Sequence, residues 1–393
     1  MNMEKHGNKT SHQVLQIAMV VRAFSQKGVL ELYTHRTIEG LLERGHHVTV
    51  ICEESDSSLT HENLKISFFE KANKKDRKAK RIKHHFEAAT KAVKALGPFD
   101  IIHSQHLPMQ GANVASFHNH TANRLGTVGQ DWEKLLSNLK MFYSTAYKRR
   151  FEQDSILCEA KVLLFPAKVM RDDFREVYAL DKNHSPASYV VAYPGANFPK
   201  GENKTVVVPE GNGQRDPITF LFVGKGFRKK GLDILFAACK LLKEKKTPFR
   251  LIIAGLSQKP IDKLRLQTLG LINDVAYLGF RKDMENIFAQ AQVIILPSRI
   301  EPFGMAPVQG MLEGLVPIVS AVTGVSEVLT DNHDALILKN HLDAKELSAL
   351  MTKLIDDTQL REKLSRNAKQ TASTLTWGKT VDATLTGYEE ALR

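Results

Sequence analysis

Short apolar runs alternate with longer, helix-patterned stretches over most of the chain. Residues 14–21, VLQIAMVV, are apolar except for Gln16, the pattern of a strand covered on both faces in a parallel sheet. An amphipathic segment from about Glu31 to Arg44 follows, then a second strand in HHVTVICE, so the chain opens as a strand–helix–strand unit. Gly28 lies in the loop ahead of that helix, where helix-terminal amides can meet an anion. FDIIHSQ and NVASFH read as further strands, Asp131 to about Leu157 as a long helix, and KVLLFPA as another strand. The alternation predicts a doubly wound α/β domain.

Between Asp181 and Pro217 the pattern dissolves into a stretch with several Pro, Gly and Asn residues and only brief β-rich pieces. It then restarts: ITFLFVG, a helix from about Lys230 to Lys245, FRLIIAG, a helix near Pro260 to Leu269, VAYLG, a short helix and VIILPS. The expected organisation is an N-terminal Rossmann-like domain over 1–194, a second over 195–376, and a closing amphipathic helix over 377–393. Two open parallel sheets facing a cleft bind ligands at the carboxyl ends of their strands, so chemistry is expected in post-strand loops.

Composition narrows the reading. The chain has 393 residues, 42% apolar and 25% charged, which suits two globular cores and excludes a disordered chain. No apolar run reaches the roughly 18 to 20 residues of a membrane span, and the run after the polar first thirteen residues is too short for a signal peptide. Cys52, Cys158 and Cys239 are far apart and form neither a zinc pattern nor a disulfide framework, which fits a reducing cytoplasm. Lys and Arg outnumber Asp and Glu by 55 to 43, a formal charge of +12, which favours anionic partners without choosing among them. Residues 71–85, KANKKDRKAKRIKHH, hold eight of these cations, and KMFYSTAYKRRF mixes them with aromatics. Such surfaces suit a phosphorylated glycolipid or peripheral contact with an anionic membrane, and solvated helix faces explain them almost as well. Nucleic acid is not expected as a partner, because only net charge points to it.

The most specific segment is EPFGMAPVQGMLE, Glu301 to Glu313, directly after the strand VIILPSRI. A carboxylate and a glycine at a helix N-terminus can hydrogen-bond sugar hydroxyls while free amides face a diphosphate. The segment resembles the nucleotide-sugar signature of the large retaining GT-B glycosyltransferase family, group 1 or family 4 type, which includes sucrose synthase-like, mannosyl- and lipopolysaccharide-core glucosyltransferases. The resemblance implies that Glu301 holds the donor sugar and that Phe303, Gly304 and Met305 approach donor through backbone. Gln309 stands where the family most often has a second Glu for the ribose; Gln keeps an acceptor but loses the charge. GLVP carries one residue more than the commoner G-x-P of the family.

VGKGFRKKGLD, Val223 to Asp233, resembles the family's diphosphate loop, with Lys225 in place of its Arg, Lys230 matching its Lys, and Lys229 adding a further cation. Cations there would stabilise the charge that develops on a leaving diphosphate. LGFRKDM, with Arg281, resembles the loop against the nucleotide base, VTGVSEVL the glycine-rich turn followed by a Glu, and YPGANF the entry to the second domain. In the first domain Gly28 corresponds to the first of two adjacent glycines, the second being Val29, and Glu31 to the polar residue that follows.

His118, at a strand end, stands where the family often has a cleft histidine positioning donor or acceptor; satisfaction by neighbouring backbone is the competing reading. His103, His106 and His120 lie at neighbouring strand ends, but no carboxylate has ligand spacing with them and the resemblance implies no metal and no cofactor, the nucleotide-sugar being a co-substrate. The implied activity is retaining transfer of a hexose, from UDP-glucose or a related UDP-sugar, to an envelope glycan or glycolipid such as lipopolysaccharide core. It would act in the cytoplasm at the inner membrane face, by front-face attack. Alternatives are a member that binds without turnover, or a GT-B UDP-sugar epimerase.

Overall fold

The computed structural model describes residues 13–121, 135, 144–180, 188–196 and 217–393. Much of the long helix read from Asp131, most of the linker after Asp181, and Asn197 and Phe198 of YPGANF lie outside the described residues. Among those described, two parallel sheets stand one after the other along the chain.

The first sheet holds β1 (Gln16–Phe24), β2 (His47–Ser55), β3 (Leu64–Phe68), β4 (Ile101–Gln105), β5 (Val114–Ser116), β6 (Val162–Phe165) and β7 (Ser188–Val191). Its order is β3-β2-β1-β4-β5-β6-β7, with Ile17 opposite both Val48 and Ile101. The second holds β8 (Ile218–Val223), β9 (Phe249–Ala254), β10 (Val275–Gly279), β11 (Val293–Leu296), β12 (Val316–Ser320) and β13 (Leu336–Leu338), in the order β10-β9-β8-β11-β12-β13. Each sheet therefore reverses direction of build beside its first strand, between β1 and β4 and between β8 and β11. Those are the switch points at which open α/β sheets leave a crevice.

The apolar runs earn their strands by burial on both faces: Ile17, Met19 and Val21 meet one helix layer, Ala18 and Val20 the other, and all are essentially inaccessible. The helices α1 (Val29–Glu43), α2 (Lys78–Leu96), α3 (Thr145–Leu157) and α4 (Lys168–Tyr178) belong to the first half. The second half has α5 (Leu232–Glu244), α6 (Pro260–Thr268), α7 (Met284–Phe288), α8 (Met305–Leu312), α9 (Ala344–Asp356) and α10 (Thr358–Thr374). The extra residue of GLVP is accounted for at the end of α8. Gly314 takes up a left-handed turn there, its amide bonds Met311 and the next amide bonds Gly310, and Leu315 is buried as the chain enters β12.

The closing helix α11 (Trp377–Leu392) packs on β6, β7 and α1, so chain from beyond the second sheet completes the core of the first. Tyr388 is fully buried there and its hydroxyl meets His103 Nδ1 at 2.7 Å. Val381 faces Gly40, and Arg44 pairs with Asp382 at 2.5 Å. The three cysteines are buried and unbridged.

Candidate active site

The loops leaving β8 and β11 flank the switch point of the second sheet, and the sequence puts their charged residues there. Lys230 lies just ahead of α5 and Glu301 just after β11, and the two side chains form an ion pair in the crevice. Glu301 is largely buried, anchored by its carbonyl, which accepts from the Gly324 amide at 3.2 Å. Loss of water around the Lys229 ammonium holds it below the usual lysine range, the pull of Glu301 being opposed by the neighbouring charges of Lys230 and Arg150. Arg150 comes from α3, so the two halves of the molecule meet electrostatically at this point.

Two further residues fix the geometry. Arg299 is buried and its guanidinium grips both carboxylate oxygens of Asp233 at 2.7 Å each, while Nη1 also donates to the Arg228 carbonyl at 2.6 Å and its amide to Lys229 O at 3.0 Å. One side chain thereby ties the loop between β8 and α5 to the loop bearing Glu301, and a bidentate fork does this with little freedom. Gly231, with φ of 74°, opens α5 so close to the Pro297 carbonyl that a Cβ would overlap it.

Gly304, φ 108°, starts α8, and Phe303 is buried against Tyr193 with ring centroids 5.9 Å apart. Met305 and Gln309 are half-buried on that helix. Lys225 is exposed, its ammonium 5.3 Å from the centre of the Phe280 ring, itself 67% exposed. Arg281 spends two donors on Asp283, at 2.8 and 2.6 Å. The ends of β8, β9 and β10 are joined across by Gly224 N to Ala254 O at 3.0 Å and Gly255 N to Gly279 O at 2.7 Å, which leaves a shelf without side chains beside Lys225.

Across the crevice, Gly28 precedes α1 with φ of 121°, a conformation that favours glycine, and the Glu31 carboxylate folds back over it. His118 Nε2 meets Gln105 Oε1 at 2.9 Å and its ring lies edge-on to Tyr33 at 4.6 Å. Burial pushes its imidazole down to about 3, so it is neutral at ordinary pH. His103 is pushed to about 3 by burial and by His118, and is held between Tyr388 and Ser116. His120 contacts Asp173 at 3.3 Å. Among the described residues no three His, Cys, Asp or Glu side chains converge as a metal site would require.

Residues 30–197 match the family Glycosyltransferase Family 4, and residues 208–371 match Glycosyl transferases group 1. The chain belongs to the GT-B glycosyltransferases. An uncharacterized glycosyltransferase of Methanocaldococcus jannaschii is 27% identical over 74% of this chain and 75% of its own length. A D-inositol 3-phosphate glycosyltransferase of Gordonia bronchialis is 24% identical over 93% and 84%. Among solved structures, WaaG, a glycosyltransferase involved in lipopolysaccharide biosynthesis, superposes with a TM-score of 0.71 at 17% identity over 94% of this chain and 99% of that one. Anabaena HepE in complex with UDP-glucose gives 0.64 at 16% identity over 95% and 99%.

The fold of this glycosyltransferase thus brings Lys229, Lys230 and Glu301 to one crevice, with Phe303 and Gly304 leading into the helix that opens from it and Met305 and Gln309 on that helix. Gly28 and His118 belong to the opposite wall, and Lys225 and Arg281 to the outer end of the shelf. Arg299, Asp233, Phe280 and Arg150 were not singled out from the sequence. Arg299 stands two residues before Glu301 in a buried strand exit, and a cation there was the available signal.

The glycine-rich turn also has a place. The Glu327 carboxylate accepts from the Lys168 and Val169 amides, at 2.8 and 2.6 Å, and from the Tyr193 hydroxyl at 2.8 Å. A side chain of the second half therefore caps α4 of the first. Among the described residues no helix is long and apolar enough to cross a membrane.

Proposed function

We propose that this glycosyltransferase is a retaining hexosyltransferase using UDP-glucose or a related UDP-sugar. The observation that carries the reading is the Lys230–Glu301 pair at the switch point of the second sheet. A nucleotide-sugar offers each member of that pair a better partner: diphosphate oxygens for Lys230, helped by Lys229, and sugar hydroxyls for Glu301. Phe280 and the glycine shelf give the base a flat face, and Gln309 is the ribose contact.

In the reaction the acceptor hydroxyl oxygen bonds to the anomeric carbon as its bond to the diphosphate oxygen breaks on the same face. The hydroxyl proton passes to the departing phosphate oxygen, and the nucleoside diphosphate leaves. The lysines bind the leaving group more strongly as its charge grows, which lowers the barrier. No metal ion or cofactor has a part in this scheme, so activity is expected to survive chelation of divalent ions. The neutral His118 suits positioning of donor or acceptor by hydrogen bond, not proton removal.

The UDP assignment draws support from the likeness to HepE in complex with UDP-glucose, and an envelope acceptor from that to WaaG; the inositol phosphate enzymes widen the acceptor class. Action on the cytoplasmic side of the membrane follows if the acceptor is an envelope glycolipid. The test is calorimetric binding of UDP-, GDP- and ADP-sugars, with Lys230→Ala and Glu301→Ala. Saturable binding of one UDP-sugar, lost in both variants, is expected, with retained anomeric configuration in the product by NMR. Absence of binding to any of them, or an inverted product, overturns the reading.

A further inference from the structure

Behind His118 a run of hydrogen bonds crosses the first sheet and ends on α11. His118 Nε2 meets Gln105 Oε1 at 2.9 Å, Gln105 Nε2 meets His103 Nε2 at 3.3 Å, and His103 Nδ1 meets the Tyr388 hydroxyl at 2.7 Å. The Ser116 hydroxyl also reaches His103 Nε2, at 2.7 Å. Gln105, His103, Ser116 and Tyr388 are all buried, where hydrogen bonds are strengthened by the low dielectric and an unmade one is costly. A second route from α11 arrives by packing. Trp377, its first residue, lies edge-on to Tyr33 at 5.7 Å, and Tyr33 edge-on to His118 at 4.6 Å. The Tyr33 hydroxyl is itself fixed, donating to the Ala192 carbonyl at 3.1 Å.

The chemistry of these groups gives the run a direction. The Gln105 amide nitrogen also faces the Met19 sulfur at 3.5 Å, and a thioether only accepts, so the NH2 end lies on that side and the carbonyl oxygen lies against His118. A carbonyl cannot donate. His118 Nε2 therefore carries the proton and, with the ring kept neutral by burial, Nδ1 is bare. Gln105 likewise donates to His103 Nε2, which leaves the His103 proton on Nδ1, given to the Tyr388 oxygen. Among the described residues only Nε2 of the His118 ring makes a hydrogen bond, so Nδ1 is left to accept from a hydroxyl of bound substrate.

We infer that Gln105, His103 and Tyr388 are positioning residues that hold His118 in its Nε2–H form with Nδ1 open as an acceptor, so that α11, from the end of the chain, sets the cleft histidine. The use of that nitrogen on substrate rests on the transferase reading above; the tautomer rests on the hydrogen bonds alone. Without the Tyr388 hydroxyl, His103 keeps a better partner by placing its proton on Nε2, toward Ser116. The Gln105 amide then turns over to put its NH2 against His118, and the His118 proton moves to Nδ1. Each step exchanges a donor for an acceptor, and no proton is gained or lost.

The test uses the full chain with isotope-labelled histidine, whose ring nitrogens report the tautomer by NMR; the His118 signals are those lost in His118→Gln. The wild type is expected to show Nε2–H at His118, and Tyr388→Phe and Gln105→Met to shift it to Nδ1–H or to a mixture. Nδ1–H in the wild type, or an unchanged tautomer in the folded variants, overturns the inference. Gln105→Met carries the test if Tyr388→Phe does not fold. Release of UDP from UDP-glucose supplies a kinetic arm: both variants should lower kcat roughly ten- to a hundredfold with KM little changed, the loss expected when a positioned group is displaced. In a His118→Gln background the same substitutions should cost nothing further, whereas damage to the fold alone would add to that of His118→Gln. Unchanged kcat, or full additivity, overturns the positioning role. If the wild type releases no UDP while the His118 tautomer still follows Gln105 and Tyr388, the transferase reading falls and the hydrogen-bonded control of His118 stands.

Discussion

The two sheets share a topology around their switch points and differ in how completely the polar groups there are partnered. In the second, charges at the crevice are mutually engaged: Lys230 with Glu301, Arg299 with Asp233, Arg281 with Asp283. In the first, Arg22 pairs with Glu54, His85 with Glu53 and Arg150 with Asp154, while His106 and the Arg81 Nε keep buried nitrogens without a hydrogen-bond partner. The contrast teaches that charges at one switch point can be satisfied within the protein, while unpartnered buried nitrogens at the other are held at some cost in stability.

That comparison can be broken most sharply at Lys230. Removing its charge should lower kcat/KM by about a hundred- to a thousandfold, the usual loss for one group that meets developing charge. Steady-state kinetics with a near-normal melting temperature would support this, and a change under tenfold would take the diphosphate role from Lys230.

Next is Arg299→Ala, which leaves Asp233 without its fork and unties two loops. It should cost about 3 kcal/mol in urea unfolding and weaken donor binding as well. Arg299→Lys should recover only part, since an ammonium cannot grip two oxygens in one plane. Full recovery would reduce Arg299 to a simple charge.

The first half should in turn respond to acid. His103 and His118 have folded values near 3, below the 6.5 of an exposed imidazole, so the unfolded chain binds protons first as pH falls. Their stabilising contribution is complete above about pH 6.5 and drains away toward pH 3. A urea midpoint lower at pH 5 than at pH 7, with the difference reduced in His118→Gln, would show it; an unchanged midpoint would refute it.

Glu327→Gln is the smaller structural change. It should cost about 1 kcal/mol, as loss of a capping charge does, and raise the donor KM by loosening the two halves. The smallest expected effect is at Gln309. Restoring Glu should tighten UDP binding a few-fold through a charged acceptor on the ribose, and a gain in turnover instead would point to a chain that binds without efficient transfer.

Much of the fold was legible because buried parallel strands must be continuous apolar runs, and β1, β8, β9 and β11 are. β3 was missed because LKISF sits at the sheet edge with its residues half-exposed, so it carries no such run. The helix α2 was hidden in the basic run, since polarity there masks the apolar stripe of Ala89 and Val93. In the site, Glu301 and Lys230 were legible because each lies in a compact motif after a strand. Arg299 and Asp233 were not: they are 66 residues apart, and neither segment alone says that they meet. The cavity at the carboxyl ends of β1 and β4 was beyond reach for the same reason, since Arg81, His106 and Arg150 on its walls come from three separate stretches.

Periodicity and short motifs are local properties of the chain, so the two α/β halves and the post-strand loops that carry Lys230 and Glu301 could be read from it directly. Packing alone sets which charges pair, that α11 from the far end completes the first core, that Glu327 caps a helix of the other half, and that Arg22, Arg81 and Arg150 line one cavity. Those are contacts between residues distant along the chain. Burial, which sets both their strength and the protonation of His118, exists only once the sheets have packed.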